Sequence, residues 1–338
     1  GDYIYEYGVS GNATRPHDGP EVGSLLSYRN RHALYKLDPM LQAAHAAFPF
    51  LVVYDDHEVE NDYAGDRDEN GSPPATFLVR RSNAYQAYAE HMPFSPSVQR
   101  SGANLSLYRR FRYGDLLSLS LLDTRQHRSP HPCGEGTSVG NCPQRLADSQ
   151  TMLGNEQEAW LYAGLARSRA RWNAIGQQTM MGQINFTAPL PPNEIYNLDQ
   201  WDGYFAARER LLGALVATNA SNPIVLTGDI HSSWIWDLPA TYTHPLSPTI
   251  ATEFVGTSIT SGFPLEFNAL APIAARLNRG FRFFDGIHRG YVRCTLDSAR
   301  WTSDYRVVST ILQPSATLST LTSFFVEAGA GSGKTACM

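Results

Sequence analysis

The segment 54–62 constrains the fold of this chain more than any other stretch of its sequence. It holds five acidic residues, one histidine and one asparagine in nine positions, and the apolar run 50–53 comes directly before it. That run predicts a buried strand of an α/β sheet, and ligands of open α/β sheets bind at the carboxyl ends of strands. Because so much negative charge would repel itself, the pattern favours bound metal cations over a solvated acidic loop.

The same pattern recurs along the chain. The apolar run 223–227 leads into Gly228-Asp229-Ile230-His231, and the run 117–122 leads into Asp123-Thr124-Arg125-Gln126. Neighbouring parallel strands end close together, so these polar groups are expected to form one site. Asp229 and His231 flank one residue, and on an extended strand end they would point to the same face.

Composition narrows the class of protein. A chain of 338 residues makes one large domain or two small ones, and 42% apolar with 17% charged residues is typical of a soluble globular protein. We find no apolar run of membrane-spanning length and no signal peptide. A net charge of -5 indicates no excess of basic residues, which argues against nucleic-acid binding as the main role.

The four cysteines leave one question open. Cys133 and Cys142 flank a short polar loop, where they form either a disulfide, as in an exported protein, or two unpaired thiols. The absence of a Cys-x-x-Cys pair argues against a thiolate zinc site.

Apolar periodicity and capping residues predict alternating helices and strands. Helices are predicted at 24–35, 39–47, 76–92, 156–171 and 204–218, with Asp38 and Asn155 as caps of the second and fourth. After Gly262, the segments 281–284, 290–296 and 301–308 predict consecutive antiparallel strands. The expected fold is α/β, with two packed mixed β-sheets flanked by helices.

Several motifs, in order along nearly the whole chain, resemble the PhoD-type alkaline phosphatases. They are Gly1-Asp2-Tyr3-Ile4-Tyr5-Glu6, Asp55-Asp56-His57-Glu58-Val59-Glu60-Asn61, Arg80-Arg81, Ala84-Tyr85-Gln86-Ala87-Tyr88, Leu122-Asp123-Thr124-Arg125-Gln126, Trp201-Asp202-Gly203-Tyr204 and Gly228-Asp229-Ile230-His231. The family is similar to the calcineurin-like metallophosphoesterases, which implies an α/β/β/α sandwich with metals at the strand ends. It also implies hydrolysis of small phosphate monoesters and diesters, iron and calcium as cofactors, and a secreted or periplasmic location.

The resemblance implies one metallophosphoesterase domain over residues 1–338, preceded by a first strand and a leading domain. The family has a cysteine ligand to iron upstream of its Gly-Asp motif. None of the four cysteines of this sequence stands in a matching position.

Site residues are carried over position by position. Asp2 resembles the carboxylate that bridges metals, and Tyr5 resembles the phenolate that ligates ferric iron. Asp56 matches a metal ligand, and His57 matches the catalytic imidazole. Each has a simpler interpretation: Tyr5 is a core residue, and His57 only supports another side chain through a hydrogen bond.

The remaining positions come from later motifs. Asp229 and His231 resemble the C-terminal ligand pair, and Asp202 is a further metal ligand. Asn61 resembles an amide that meets calcium or the phosphate. Arg81 resembles a guanidinium that clamps the phosphate, although a solvated helix face is the alternative for it and for Arg80.

The mechanism implied by these roles is in-line attack on phosphorus by a metal-bound hydroxide or oxo group, without a covalent enzyme intermediate. Arg81 would bind phosphate oxygens bidentately, and His57 would protonate the leaving group. A non-haem iron oxidoreductase is an alternative, because Asp229-x-His231 matches part of a two-histidine, one-carboxylate set. A non-catalytic metal-binding module is another. A serine hydrolase is disfavoured, because the segment 256–260 lacks the second glycine of the nucleophile elbow.

Overall fold

A computed structural model describes residues 1–8, 16–17, 19–134, 138–140, 142–187, 194–313, 315–329 and 334–337. Within these ranges the α-helices are α1 Leu25–Lys36, α2 Pro39–Ala47, α3 Pro74–His91, α4 Gly154–Ala166, α5 Phe205–Ala217 and α6 Leu265–Arg276. The strands are β1 Arg100–Ser101, β2 Asn104–Leu105, β3 Arg109–Tyr113, β4 Leu117–Leu121, β5 Ser138–Gly140, β6 Trp172–Gly176, β7 Ile195–Asn197, β8 Pro223–Thr227, β9 Ser233–Pro239, β10 Thr249–Val255, β11 Phe281–Asp285, β12 Arg289–Leu296, β13 Arg300–Val308, β14 Leu318–Glu327 and β15 Lys334–Cys337.

Two sheets organise the fold. The larger has seven strands in the order β11-β9-β10-β8-β6-β4-β3. The four central strands β10, β8, β6 and β4 are parallel to one another. Strands β3, β9 and β11 are antiparallel to their neighbours. The second sheet is antiparallel, in the order β12-β13-β14-β15. The parallel centre matters for function because β4, β6 and β8 all end at the same edge.

The sheets stack in layers. One face of the larger sheet packs on the second sheet, where Trp172 meets Trp301 with ring centroids 5.8 Å apart. Its other face packs against α4, α5 and α6 through a cluster that includes Leu161, Leu211 and Ala271. Helices α1 and α3 contribute to a separate apolar cluster beside the sheets. The predicted class, an α/β fold of packed sheets flanked by helices, is confirmed.

The first two helices lie close to their predicted bounds, and the predicted Asp38 cap is confirmed. The Ser24 side chain accepts a hydrogen bond from Ser27 N, and Asp38 caps α2 through Met40 N and Leu41 N. The predicted Asn155 cap is wrong, because α4 begins at Gly154 and Asn155 lies inside it. In the described part of the chain, no helix is long and apolar enough to cross a membrane.

Two strand predictions are wrong. The run 50–53 forms no strand, and Leu51 is exposed; the backbone there contacts the sheet edge through Val52 O, which accepts from Arg109 Nη2 at 2.6 Å. The segments 281–284 and 290–296 do not pair, because β11 joins the larger sheet against β9 while β12 pairs with β13. An apolar run sets a preference for burial but does not choose the pairing partner.

The open question about the cysteines is also resolved. Cys133 and Cys142 form a disulfide. Cys142 packs with Tyr196 and Leu198, so the bridge lies against the segment that precedes the 3₁₀ helix Trp201–Tyr204.

Candidate metal centre

The candidate site lies where the parallel strands end. Asp123 and Arg125 follow β4, and Asp229 follows β8, as the strand-end pattern predicts. The acidic segment 54–62 meets this edge through Tyr54, whose hydroxyl donates to Asp123 Oδ2 and whose carbonyl accepts from Gln178 Nε2 at 2.8 Å. Residues far apart in the sequence therefore converge on one edge of the sheet.

Two groups of side chains could each hold a metal ion. The first is Asp2, Asp56 and His57, and the second is Asp55, Asp56 and Asp229. Within each group the ligand atoms lie within 4.8 Å of one another. Because Asp56 belongs to both groups, they form one continuous cluster, which we call the acid cluster (Asp2, Asp55, Asp56, His57 and Asp229).

Tyr5 and His231 border the acid cluster. The His231 Nε2 atom lies 3.9 Å from Asp2 Oδ2 and 2.8 Å from the Tyr5 hydroxyl. Ser261 Oγ donates to that same hydroxyl at 2.8 Å, so Tyr5 is placed by polar contacts as well as by packing. These contacts bring together five of the seven residues predicted as metal ligands.

The predicted backbone geometry of one pair is wrong. Asp229 and His231 do not lie on an extended strand end, because both have left-handed backbone angles, with φ of 66° and 55°. Ile230 N donates to Gly228 O at 2.8 Å, which makes the chain turn sharply after β8. The turn, rather than a strand's alternation, brings the two side chains to the site.

Glu6 orients His57. Its Oε2 atom lies 2.7 Å from His57 Nδ1, and its Oε1 accepts from Asn61 N at 2.8 Å. Burial alone would lower the pKa of His57. The charges of Asp2 and Asp56 and the hydrogen bond to Glu6 outweigh burial and raise that pKa well above its usual value.

The cluster accumulates negative charge in a buried place. Burial, followed by the charge of Asp55, raises the pKa of Asp229 well above its usual range. Burial and the charge of Asp2 raise the pKa of Glu58 to about 8. For Asp2 itself, burial would raise the pKa, but the charge of His57 and the hydrogen bond to His231 together outweigh burial and lower it. An added cation would relieve this repulsion, since an opposite charge nearby favours the ionised carboxylate.

Unpartnered oxygen atoms show that the donor set fits a metal ion. Among the described residues, Asp2 Oδ1 and Asp56 Oδ1 are buried and have no hydrogen-bond partner. Buried polar atoms are nearly always hydrogen-bonded, so such atoms call for a ligand. Carboxylate oxygens beside an imidazole and a phenol suit hard or borderline cations.

Asp202 and Arg81, which were predicted as site residues, do not belong to the acid cluster. Asp202 is buried against Arg208, with Oδ1 2.7 Å from Nη1, and its Oδ2 accepts from Ile184 N. Arg81 donates to the carbonyls of Ala103 and Gly65 and to Asn104 Oδ1. Both side chains are thus engaged by structural partners, and their predicted site roles find no support in this geometry.

Asn61 lies at the margin of the site. Its side-chain Nδ2 donates to Glu69 Oε2 at 2.7 Å, while its backbone helps to hold Glu6. Its predicted role toward calcium or phosphate stays a prediction.

Arg125 and Asp199 lie at the site but are not among the residues predicted for it. Asp123 accepts from the Arg125 backbone N, while the Arg125 guanidinium contacts Asp55, Asp199 and Asp229. The strand-end motif did contain Arg125. Asp199, however, follows no strand of the larger sheet and gave no signal.

Comparisons with known proteins identify the family of the chain. The model of the PhoD-like phosphatase family matches residues 1–305. Alkaline phosphatase D of Bacillus subtilis (strain 168) is 44% identical over 334 residues, which cover 97% of this chain and 56% of that protein. A solved structure described as "Structure of PhoD" superposes with a TM-score of 0.91 at 41% identity, covering 99% of this chain and 65% of that one.

The chain therefore spans a little over half the length of the curated relative it matches. The family match covers the acidic segment, the strand ends and both groups of candidate ligands. By sequence and by fold, the chain belongs to the PhoD-like phosphatase family.

Proposed function

We propose that this protein hydrolyses phosphate esters at the acid cluster with the help of bound metal ions. The observation that carries the proposal is the convergence of Asp2, Asp56, His57 and Asp229 around carboxylate oxygens that have no hydrogen-bond donor. Membership of a phosphatase family and the name of the curated relative support the same reaction class.

The donor types indicate which residues would hold which ion. Asp2, Asp56 and Asp229 supply carboxylate oxygens, which calcium prefers. Tyr5 and His231 supply a phenol and an imidazole beside Asp2, a set that suits iron. When bound, such ions would polarise the phosphoryl oxygens and stabilise the negative charge that develops on them.

His57 is proposed as the general acid. Because Glu6 occupies Nδ1, only Nε2 is available to exchange a proton with the oxygen of the leaving alcohol. The charges of Asp2 and Asp56 and the hydrogen bond to Glu6 favour the protonated imidazole, which is the form that a general acid requires. Glu6 in turn fixes the orientation of the ring and compensates its charge.

We also propose that the protein acts outside the cytoplasm. The disulfide between Cys133 and Cys142 supports this location, because such bonds persist in oxidising compartments.

The test combines metal analysis with turnover. The purified protein is analysed for metals and assayed with para-nitrophenyl phosphate and bis(para-nitrophenyl) phosphate, before and after chelation. We expect chelation to lower turnover at least ~10-fold and added iron and calcium to restore it, since the ions supply Lewis-acid stabilisation. Full turnover in metal-free protein would contradict the metal requirement, and no hydrolysis of either ester by loaded protein would contradict the reaction class.

Arg81 provides a test of which arginines bind phosphate. Arg81→Met is expected to lower the free energy of unfolding by ~3 kcal/mol, because the hydrogen bonds of a buried guanidinium are lost. The KM for para-nitrophenyl phosphate should stay within about twofold, since those bonds lead to structural partners. Urea unfolding and steady-state kinetics measure the two quantities.

Arg29→Met serves as the control, because Arg29 pairs with Glu90 on the surface and its loss should affect stability less. A KM for Arg81→Met raised tenfold at unchanged stability would instead establish Arg81 as a phosphate ligand.

A further inference from the structure

A fully buried guanidinium lies at the centre of the acidic residues. Arg125 Nε donates to Asp55 Oδ1 at 2.7 Å, and Nη1 donates to Asp199 Oδ1 at the same distance. Nη2 donates to Asp229 Oδ1 at 2.6 Å. Each of the three guanidinium nitrogens therefore donates a hydrogen bond to a different carboxylate.

The three carboxylates come from separate parts of the chain. Asp55 lies in the acidic segment, Asp199 precedes the 3₁₀ helix Trp201–Tyr204, and Asp229 follows β8. Arg125 itself follows β4. One side chain thus ties together four segments that no common helix or strand connects.

Asp199 anchors this arrangement without belonging to either candidate ligand group. A second buried arginine, Arg128, donates to Asp199 Oδ1 at 2.6 Å and to the carbonyls of Asp62 and Tyr63. The charges of Arg125 and Arg128 outweigh burial and lower the pKa of Asp199 well below its usual range. Asp199 is therefore a fixed negative charge that holds Arg125 in place.

Arg125 also forms an ion pair with Asp56 but leaves one oxygen of that carboxylate without a hydrogen bond. Its Nη2 lies 3.2 Å from Asp56 Oδ1, yet that oxygen has no hydrogen-bond partner. One oxygen each of Asp55 and Asp229 is bound to the guanidinium, so these side chains cannot rotate freely. A guanidinium keeps its charge at any working pH and offers donors in a fixed plane, whereas an ammonium group cannot reproduce that geometry.

We propose that Arg125 is a positioning residue of the metal centre: its guanidinium fixes the carboxylates of Asp55, Asp56 and Asp229 in the arrangement that receives a cation. This inference rests on the proposed function, because it assumes that the acid cluster binds metal. Arg125 acts through the ligands and does not itself contact the ion.

The test measures Mn²⁺ binding to the full chain by electron paramagnetic resonance, with unfolding followed by circular dichroism. In Arg125→Lys we expect Mn²⁺ to bind ~10- to 100-fold more weakly, the effect typical of residues that orient metal ligands. Arg208→Lys is the matched control. Arg208 is equally buried and pairs with Asp202 at 2.7 Å, so the variant should lose stability but keep its Mn²⁺ affinity within about twofold.

Asp199→Asn keeps the test decisive if Arg125→Lys does not fold. It removes the anchor of Arg125 and leaves every candidate ligand unchanged, so Mn²⁺ should bind several-fold more weakly. Unchanged affinity in Asp199→Asn or in folded Arg125→Lys would overturn the inference, as would an equal loss in Arg208→Lys. If the wild-type chain binds no Mn²⁺, the metal centre itself is refuted and the inference is refuted with it.

Discussion

Replacing Asp56 by asparagine is expected to lower kcat/KM for para-nitrophenyl phosphate by at least ~1000-fold, or ~4 kcal/mol of transition-state stabilisation. Asp56 belongs to both groups of candidate ligands, so its loss weakens the whole acid cluster at once. The neutral amide keeps the size of the side chain and can still accept from Asp62 N, which binds Asp56 Oδ2 at 2.6 Å. The fold should therefore survive while the charge that attracts the cations is lost.

Steady-state kinetics and metal analysis of the same preparation measure this effect. Asp237→Asn is the control, because Asp237 of β9 is also buried and charged but pairs with Arg282 of β11 and belongs to neither group of candidate ligands. That variant should keep kcat/KM within about twofold. Asp56→Asn with normal turnover and normal metal content would place the active site elsewhere.

Sequence patterns predicted elements well wherever the deciding contacts are local. The predicted cap at Asp38 contacts backbone groups within three positions, and helix α2 begins at the next residue. Helix α6 was not predicted at all. It contains Pro272 and exposes Leu270 and Ile273, so its pattern resembles neither a regular helix nor a buried face.

Strand predictions were limited by pairing, which a sequence does not display. The run 50–53 is as apolar as β8, yet only β8 lies between two partner strands. Strand β11 was predicted with nearly correct bounds but assigned to the wrong neighbour. The choice of partner depends on the packing of the whole sheet, and local propensity carries no information about it.

Some residues of the candidate site could likewise be predicted from local motifs, and others could not. Asp2, Asp56, Asp229 and His231 stand in recognisable motifs, and the fold brings them together. The role of Arg125 could not be predicted from the sequence, because its partners lie 70, 74 and 104 residues away along the chain. A buried arginine is interpretable only once the carboxylates around it are known.

Leaving-group dependence provides the sharpest test of His57. His57→Asn is expected to lower kcat for phenyl phosphate by ~100-fold or more, because a general acid contributes that much when the departing oxygen is strongly basic. The loss for para-nitrophenyl phosphate should be clearly smaller, since para-nitrophenolate departs without a proton. A residue that only supports the fold would affect both substrates equally.

Glu6→Gln extends the test to the partner of His57. The amide keeps a polar contact with Nδ1 but removes one of the negative charges that, after those of Asp2 and Asp56, raise the pKa of His57, so we expect kcat for phenyl phosphate to fall ~10- to 100-fold while metal content is retained. Glu60→Gln is the control, because Glu60 lies in the acidic segment 54–62 together with His57 but pairs with Arg80 at 2.7 Å. If His57→Asn instead loses bound metal and slows both substrates alike, His57 is a ligand, and the proton for the leaving group must come from another residue.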